Sequence, residues 1–598
     1  MAGSLHDPNV LAAIQAARIP PAGTPSPYAS PADWRDGWIY FLMVDRFNNP
    51  GQLPVHQPYD DPNYFKYQGG TFRGVQAQLQ YIKDLGASAI WISPALKNLQ
   101  WDQGSYHGYG IHDFLVAEPR FAASAATADA ELRDLVDAAH EKGLWVIFDI
   151  VLNHVGNVFA YSAEDPGTVP GVPFSPQPLP VYWRLPDGTP RPNPTPIEQI
   201  TGATGDELVW PSELQQNAYF RRQGNPQADG DDTIGDFATL RQMRTDNPAV
   251  QNALVAAYEY VIARFDIDGF RIDTLRYLKG DLPRLFGNAV REFAESIGKR
   301  NFFTFGEVLD NTAENDIARF IGRNTLDVTN QQVVGVDAAL DYPLFFTLKP
   351  VVKGLAPPTA VTGMYDNRKA VEADIVSSHG DATRFFVTFL DNHDMKERIR
   401  YEAPGNPTEF DDQVTLGLAC LFALPGIPCV YYGTEQGLHG AGSDPAVREA
   451  IWGETGFLEN SPFYLAIQQM SAVRNSEPAL RYGRYYFRQV SGDQVHFGFS
   501  PFNGGVLAWS RILADEERTI VANTSTTAQL NLSVVVDATL AGTAAPRVLY
   551  SNKTDPVGPG PIATLPNAEV TQDDGTTSVG AVAVPVSLQP MEVQILSC

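Results

Sequence analysis

No apolar run in the 598 residues approaches the roughly 20 that a membrane-crossing helix needs, so no membrane partner is expected. Charge is thin, at 19% of residues, and lopsided: 43 Lys and Arg face 69 Asp and Glu, for a formal charge of -26. A chain this short of basic clusters has no electrostatic footprint for a phosphate backbone, which excludes nucleic acid as an expected partner. Cysteine is scarce too. Cys420, Cys429 and Cys598 are odd in number and fit no metal-ligand spacing, so no disulfide framework is expected and Cys420 and Cys429 read as buried thiols. The first residues, MAGSLHDPNVLAAIQAARIP, lack a basic start followed by a continuous apolar stretch. As written they are no secretory signal, which reads as cytoplasmic, or as secreted if a signal has been removed. A glycine-rich phosphate fingerprint after the first strand is also missing, which counts against a dinucleotide-binding sheet.

The chain does have length and rhythm. It is too long for one simple core, so a large domain with appended modules is expected. From Trp38 onward an amphipathic helix, a glycine and a short apolar strand ending in polar residues recur, as in LQYIKDLG–ASAIWISP and ADAELRDLVDAAHEKG–LWVIFDIVLNH. A third copy opens with Asn247 as N-cap and Pro248 at the first helical position, and runs into DGFRIDT. Further copies lead into NFFTFGEV, FFVTFLDNHD and GIPCVYYGTE. Parallel strands joined by helices over this length predict an α/β fold, a closed (β/α)8 TIM barrel. The boundaries read as an N-terminal extension over 1–35, a barrel over 36–154 and 246–475, an inserted domain over 155–245 after the third strand, and a C-terminal antiparallel β-sandwich over 476–598. The insertion is dense in Pro, Gly and Asp, and the final segment alternates apolar and polar residues, as in GVLAWSRI and RTIVANTS.

Barrel sites form at the C-terminal ends of strands, and several strand ends here are unusually polar: Asp149, Asn153 and His154; Arg271 and Asp273; Glu307; Asn392, His393 and Asp394. Taken singly, each fits a helix cap or a solvated loop. Together they suit a double displacement at a sugar carbon, in which one carboxylate attacks and a second serves as acid and then base. Asp273 and Glu307 are the pair. Arg271, two residues before Asp273, points to the same barrel face and can hold that carboxylate ionised and oriented.

At these residues the chain resembles the α-amylase family of glycoside hydrolases, family thirteen, from Trp38 to about Gly437. GASAIWISP, SYHGYGIHDF, the IGDFATL segment and GIPCVYYGTEQG look like the family's secondary motifs in order. The resemblance implies Asp273 as nucleophile, Glu307 as acid/base and Asp394 as the carboxylate that binds sugar hydroxyls and distorts the ring. It implies Tyr109 as a stacking platform, with His107, His154, Arg271 and His393 as substrate contacts and Asp149 and Asn392 in support. No cofactor is implied for the chemistry. A structural calcium is implied at Asn153, Asp236 and the carbonyl of Tyr277, although Arg276 and Tyr277 replace the Lys-His of many relatives. A second loop, with Asp45, Asn48 and Asn49, resembles another calcium site, with Thr71 where relatives often have Asp.

The implied substrate is an α-glucan or a small α-glucoside. By the resemblance, Thr274 and the long insertion lean towards α-1,4 specificity rather than short α-1,6 substrates or sucrose, and the first reading is hydrolysis of starch or maltooligosaccharides. The alternative is a transglycosidase or isomerase, such as a glucanotransferase or a trehalose- or sucrose-acting enzyme, that uses the same covalent intermediate. A remote alternative is a non-catalytic carbohydrate-binding barrel, against which stands the presence of all three carboxylates. Oligomeric state is not legible.

Overall fold

A computed structural model describes residues 3–20, 26–56, 64–167, 171–227, 231–279, 281–309, 314–324, 334–372, 375–540, 546–571 and 575–598. Its centre is an eight-stranded parallel sheet. In chain order the strands are β1 (Ile39–Leu42), β2 (Ala89–Ile92), β3 (Trp145–Val151), β4 (Gly269–Asp273), β5 (Phe303–Gly306), β6 (Ala338–Ala339), β7 (Val387–Thr388) and β8 (Ile427–Tyr431). Neighbours in sequence pair in space from β1 to β6, β7 pairs with β8, and β8 returns to β1. The seam between β6 and β7 is closed by a parallel bridge from Leu340 to Val387, and the Asp341 amide donates to the Val387 carbonyl at 2.9 Å. The predicted barrel is therefore present. β6 is the strand that the sequence reading did not single out, because only two residues of VGVDAALDYP pair with β5.

Local chemistry sets the helices between the strands. Gly86 ends the helix Leu79–Leu85 in the left-handed region, at φ 103°, and Asn247 caps Pro248–Phe265 by accepting from the Ala249 amide. Aromatic rings fill the barrel floor. Phe41 stacks on Trp91 with ring centres 3.7 Å apart, and Phe305 meets Trp91 edge-on at 5.5 Å. That floor lies directly below the polar strand ends.

The segment between β3 and Pro248–Phe265 carries only two-residue strands and 3₁₀ turns among its described residues. It is tied to the barrel where His154–Val155 pairs antiparallel with Arg241–Gln242. N-terminal residues pack on the barrel as well: the Trp34 indole donates to the Asn301 carbonyl at 2.9 Å and stacks on Phe303.

After the helix Pro462–Ser476 the chain forms two five-stranded sheets, with a separate core that includes Val521, Val534, Val584 and Leu596. Two buried arginines fasten this sandwich to the barrel through main-chain oxygens. Arg474 donates to the carbonyls of Phe422, Leu480 and Gly426, and Arg511 to those of Gly483 and Ala423. Cys420 and Cys429 are buried free thiols. No described helix is long and apolar enough to cross a membrane.

Gly269 begins the strand that carries Asp273, and a Cβ there would lie 2.6 Å from the Phe303 carbonyl oxygen of β5. Backbone cannot yield as a flexible side chain does. Gly269→Ala is expected to cost about 2 kcal/mol of stability, read as a lower melting temperature; an unchanged melting temperature would mean that the β4–β5 contact is looser than described.

Candidate active site

Arg271 is the hub of the strand-end cluster. Its Nη1 donates to Asp149 Oδ1 at 2.9 Å and to Asp273 Oδ1 at 2.9 Å, while Nη2 lies 3.0 Å from Glu307 Oε2. The guanidinium packs 5.4 Å from the centre of the Trp91 ring and is fully buried. Register explains the convergence. Arg271 on β4 sits opposite Asp149 on β3 and Phe305 on β5, so side chains from adjacent strands meet over one aromatic floor.

One guanidinium cannot neutralise three buried carboxylates, so the cluster retains a proton near neutral pH. Burial pushes the Asp273 carboxyl well above the ordinary range; Arg271 pulls it down, while the charges of Glu307 and Asp149 push it further up. Burial likewise pushes Asp149 up to about 6 against the pull of Arg271.

Backbone geometry aims a donor at Glu307. Thr274, directly after Asp273, is held in the left-handed region at φ 47°, uncommon for a β-branched residue, and its amide donates to Glu307 Oε2 at 3.1 Å. The other carboxylate oxygen, Oε1, accepts from the Tyr342 hydroxyl at 3.2 Å.

Asp394 stands across the cleft. His393 Nε2 lies 3.1 Å from Asp394 Oδ2, Arg448 Nη2 donates to Asp394 Oδ1 at 2.8 Å, and Asn392 Oδ1 accepts the Asp394 amide at 3.0 Å. Tyr109 links the two sides, its hydroxyl 2.8 Å from Asp149 Oδ2 and 2.6 Å from His393 Nε2. His107 supports it from below by accepting the Tyr109 amide at Nδ1, 3.0 Å away. His154 Nε2 lies 4.0 Å from Asp273 Oδ2.

Burial drives His107 and His393 well below the usual imidazole range and His154 down to about 4. The three rings are neutral at pH 7 and offer hydrogen bonds without adding charge. His154 Nε2, His393 Nδ1 and Thr274 Oγ1 are buried without a hydrogen-bond partner in the protein. The cavity above the cluster measures about 470 Å³. Its mouth carries Phe237, 45% exposed, and Leu309, 40% exposed, with Tyr277 edge-on to Phe237 at 5.8 Å.

The oxygens expected to hold calcium are already engaged. Asp236 Oδ2 accepts from Arg241 Nη1 at 2.8 Å and from the Tyr161 hydroxyl at 2.6 Å, while its Oδ1 accepts the Gln242 amide at 3.1 Å. Asn153 Oδ1 accepts from Gln242 Nε2 at 3.1 Å. The Tyr277 ring lies at the cleft mouth. In the first loop, Asp45 accepts the amides of Gln68 and Gly69 and pairs with Arg46 Nε at 3.0 Å. Asn48 and Asn49 turn their amide nitrogens to the carbonyls of Gly74 and Gly69. In this structure both sets form internally hydrogen-bonded junctions rather than an open cage of oxygens.

Arg448 and Tyr342 were not singled out in the sequence. Arg448 lies 54 residues beyond Asp394 in an irregular segment, and its position gives no periodic signal. Tyr342 follows the short β6 and shares that strand's poor legibility.

Polar strand ends gathered over one face of an eight-stranded parallel barrel, with three carboxylates on a shared arginine, define the class of (β/α)8 proteins built for acid–base and nucleophilic chemistry at the barrel mouth. Within that class the chain belongs to the alpha-amylase family, whose catalytic-domain model matches residues 36–491. It is 28% identical over 489 residues to an alpha-amylase of Streptomyces lividans, covering 74% of this chain and 50% of that protein. To a cyclomaltodextrin glucanotransferase of Geobacillus stearothermophilus it is 28% identical over 471 residues, covering 76% and 56%. The chain thus spans about half the length of the curated relatives it matches. The crystal structure of an alpha-amylase from Geobacillus thermoleovorans in complex with acarbose aligns over 95% of this chain and 99% of that one, at a TM-score of 0.61 and 24% identity, which establishes a shared fold.

Asp149 yields a pH prediction. Its folded value of about 6 lies above the unfolded value, about 3.9, so ionising it costs stability in the folded protein. Its contribution is therefore fully present below about 4 and is lost as pH rises through 6. Asp149→Asn removes that loss: the melting temperature of the variant minus that of the wild type should increase from pH 5 to pH 7. A constant difference would show that Asp149 is not held protonated by its surroundings.

Proposed function

We propose that the chain is a retaining α-glucan glycosidase that cleaves α-1,4 bonds of starch or maltooligosaccharides by double displacement. The observation that carries the reading is the sharing of Arg271 by Asp273 and Glu307, at 2.9 and 3.0 Å. Two carboxylates on one guanidinium favour the spacing of about 5 Å used in retention over the wider gap, about 6.5–9.5 Å, that inverting enzymes keep for a water.

In this reading Asp273 attacks the anomeric carbon while Glu307 gives its proton to the departing oxygen, and a glycosyl ester forms on Asp273. Glu307 then takes a proton from the incoming hydroxyl, which opens the ester and regenerates the pair. Arg271 orients Asp273 for the attack and opposes the burial that raises its carboxyl. Asp394, steadied by Arg448 and His393, binds sugar hydroxyls, and the unpartnered Nε2 of His154, which lines the cavity, supplies a neutral hydrogen bond to the same ring. The chain supplies every group the two steps call for, so the chemistry needs no cofactor.

A second reading, transfer to a sugar acceptor, is favoured by the apolar lip. The exposed Phe237 with Tyr277 and Leu309 at the cleft mouth would stack an acceptor sugar and keep water from the ester.

Incubation with soluble starch, maltooligosaccharides, maltose, sucrose and trehalose, with products resolved by chromatography, separates the readings. Shorter products indicate hydrolysis, and products longer than the donor indicate transfer. Asp273→Asn is expected to lower kcat by about 10³-fold or more with the fold retained; normal turnover would refute the nucleophile assignment. His154→Gln should lower kcat/KM yet leave the midpoint of the acid limb unmoved, since the imidazole is already neutral there. A shifted midpoint would mean that His154 titrates in the working range.

A further inference from the structure

The main chain joins the barrel to the inserted segment at the pairing of His154–Val155 with Arg241–Gln242 and where Trp210 bonds to His112 and Phe114, and a buried guanidinium sits at the first of these places. We propose that the Arg241 guanidinium is the resident cation at the root of the inserted segment, where it clasps the segment's entry and exit, and stands in place of a structural calcium ion.

The guanidinium fork reaches three acceptors on two stretches of chain at once. Nη1 donates to Asp236 Oδ2 at 2.8 Å, Nη2 to Asn157 Oδ1 at 2.8 Å and Nε to the Phe159 carbonyl at 2.9 Å. Its plane lies 5.1 Å from the centre of the Phe159 ring and 5.2 Å from that of Tyr161. Arg241 is 1% exposed and Asp236 is fully buried, so the pair is screened from water and both charges are matched. From the next position on the strand, the Gln242 carboxamide bridges Asn153 Oδ1 on the barrel and the Thr233 carbonyl in the insertion, at 3.1 and 2.8 Å.

Charge arithmetic makes a divalent ion redundant here. A second buried guanidinium, Arg184, lies 3.1 Å from Asp165 and also donates to Asn157 Oδ1, at 3.3 Å. Two internal cations therefore face two carboxylates, Asp236 and Asp165. Calcium takes 6–8 oxygens at about 2.3–2.6 Å. To bind here it would have to displace Arg241 from Asp236, leaving that guanidinium buried beside it without its carboxylate. A planar fork directed at three acceptors fixes orientation as a coordination sphere would, and it is part of the polypeptide.

Limited proteolysis and thermal unfolding test the proposal. With the full chain, EGTA and added calcium are both expected to leave the rate of cleavage within residues 155–245 unchanged. Faster cleavage there in EGTA, reversed by calcium, would overturn the proposal. Arg241→Ala is expected to lower the melting temperature by about 5 °C or more and to accelerate cleavage in the same segment; wild-type values for both would also overturn it. If the alanine variant does not fold, Arg241→Lys decides by the same readouts, because it keeps the charge but loses the fork. A lower melting temperature with faster cleavage supports the guanidinium's role, and wild-type behaviour refutes it.

Discussion

Arg271 binds Asp149, Asp273 and Glu307 at once, and the candidate site depends on that single buried guanidinium. It orients the proposed nucleophile and the proposed acid relative to one another before any ligand arrives. It also leaves the cluster with more negative charge than it can neutralise, which is why a proton stays in the group. The barrel serves this interaction directly: β3, β4 and β5 lie side by side in register, and Trp91 closes off water from beneath. A triad of carboxylates on a flexible surface would have neither fixed spacing nor a retained proton.

The same device recurs away from the site. Arg448 steadies Asp394, Arg241 holds Asp236 at the root of the insertion, and Arg46 covers Asp45 in the loop after β1. In each case an arginine with a planar fork fixes an acidic side chain, and Asp236 and Asp45 are held where water does not reach while Asp394 stays open to the cleft. A chain with 43 basic residues against 69 acidic ones commits several of its arginines to the interior, where each organises more than one partner. The cleft above them keeps unpartnered, uncharged donors and acceptors, a surface suited to a neutral polyhydroxylated ligand.

Much of the barrel was legible in the sequence because helix periodicity, glycine and capping residues recur with each βα unit. Asp149, Arg271, Asp273, Glu307 and Asp394 were legible because each ends an apolar strand, and because Arg271 and Asp273 are two residues apart on one of them. β6 was not, since two paired residues give no alternation to read. Arg448 and Tyr342 lie where no periodicity predicts direction. The partners of the expected calcium ligands were not legible for a related reason. Asn153 and Asp236 are oxygen donors of the right kind, but the sequence does not show that Arg241 and Gln242, on a two-residue strand, reach them first. Residue type is visible in a sequence; which partner arrives is decided by loop conformation.

The arginines that join barrel and sandwich rest on a different kind of partner. Arg474 and Arg511 end on main-chain carbonyls, which have no proton to gain in ordinary acid and no counter-charge for salt to screen. These contacts are insensitive to conditions that titrate carboxylates, unlike the ion pairs of Lys553 with Asp412 and Arg481 with Asp36 at the same seam. Acid protonates the raised carboxyls of the cleft first, so the site's charge pattern changes while the main-chain contacts of Arg474 and Arg511 are unaffected. The charge of the site and these contacts answer to different chemistry.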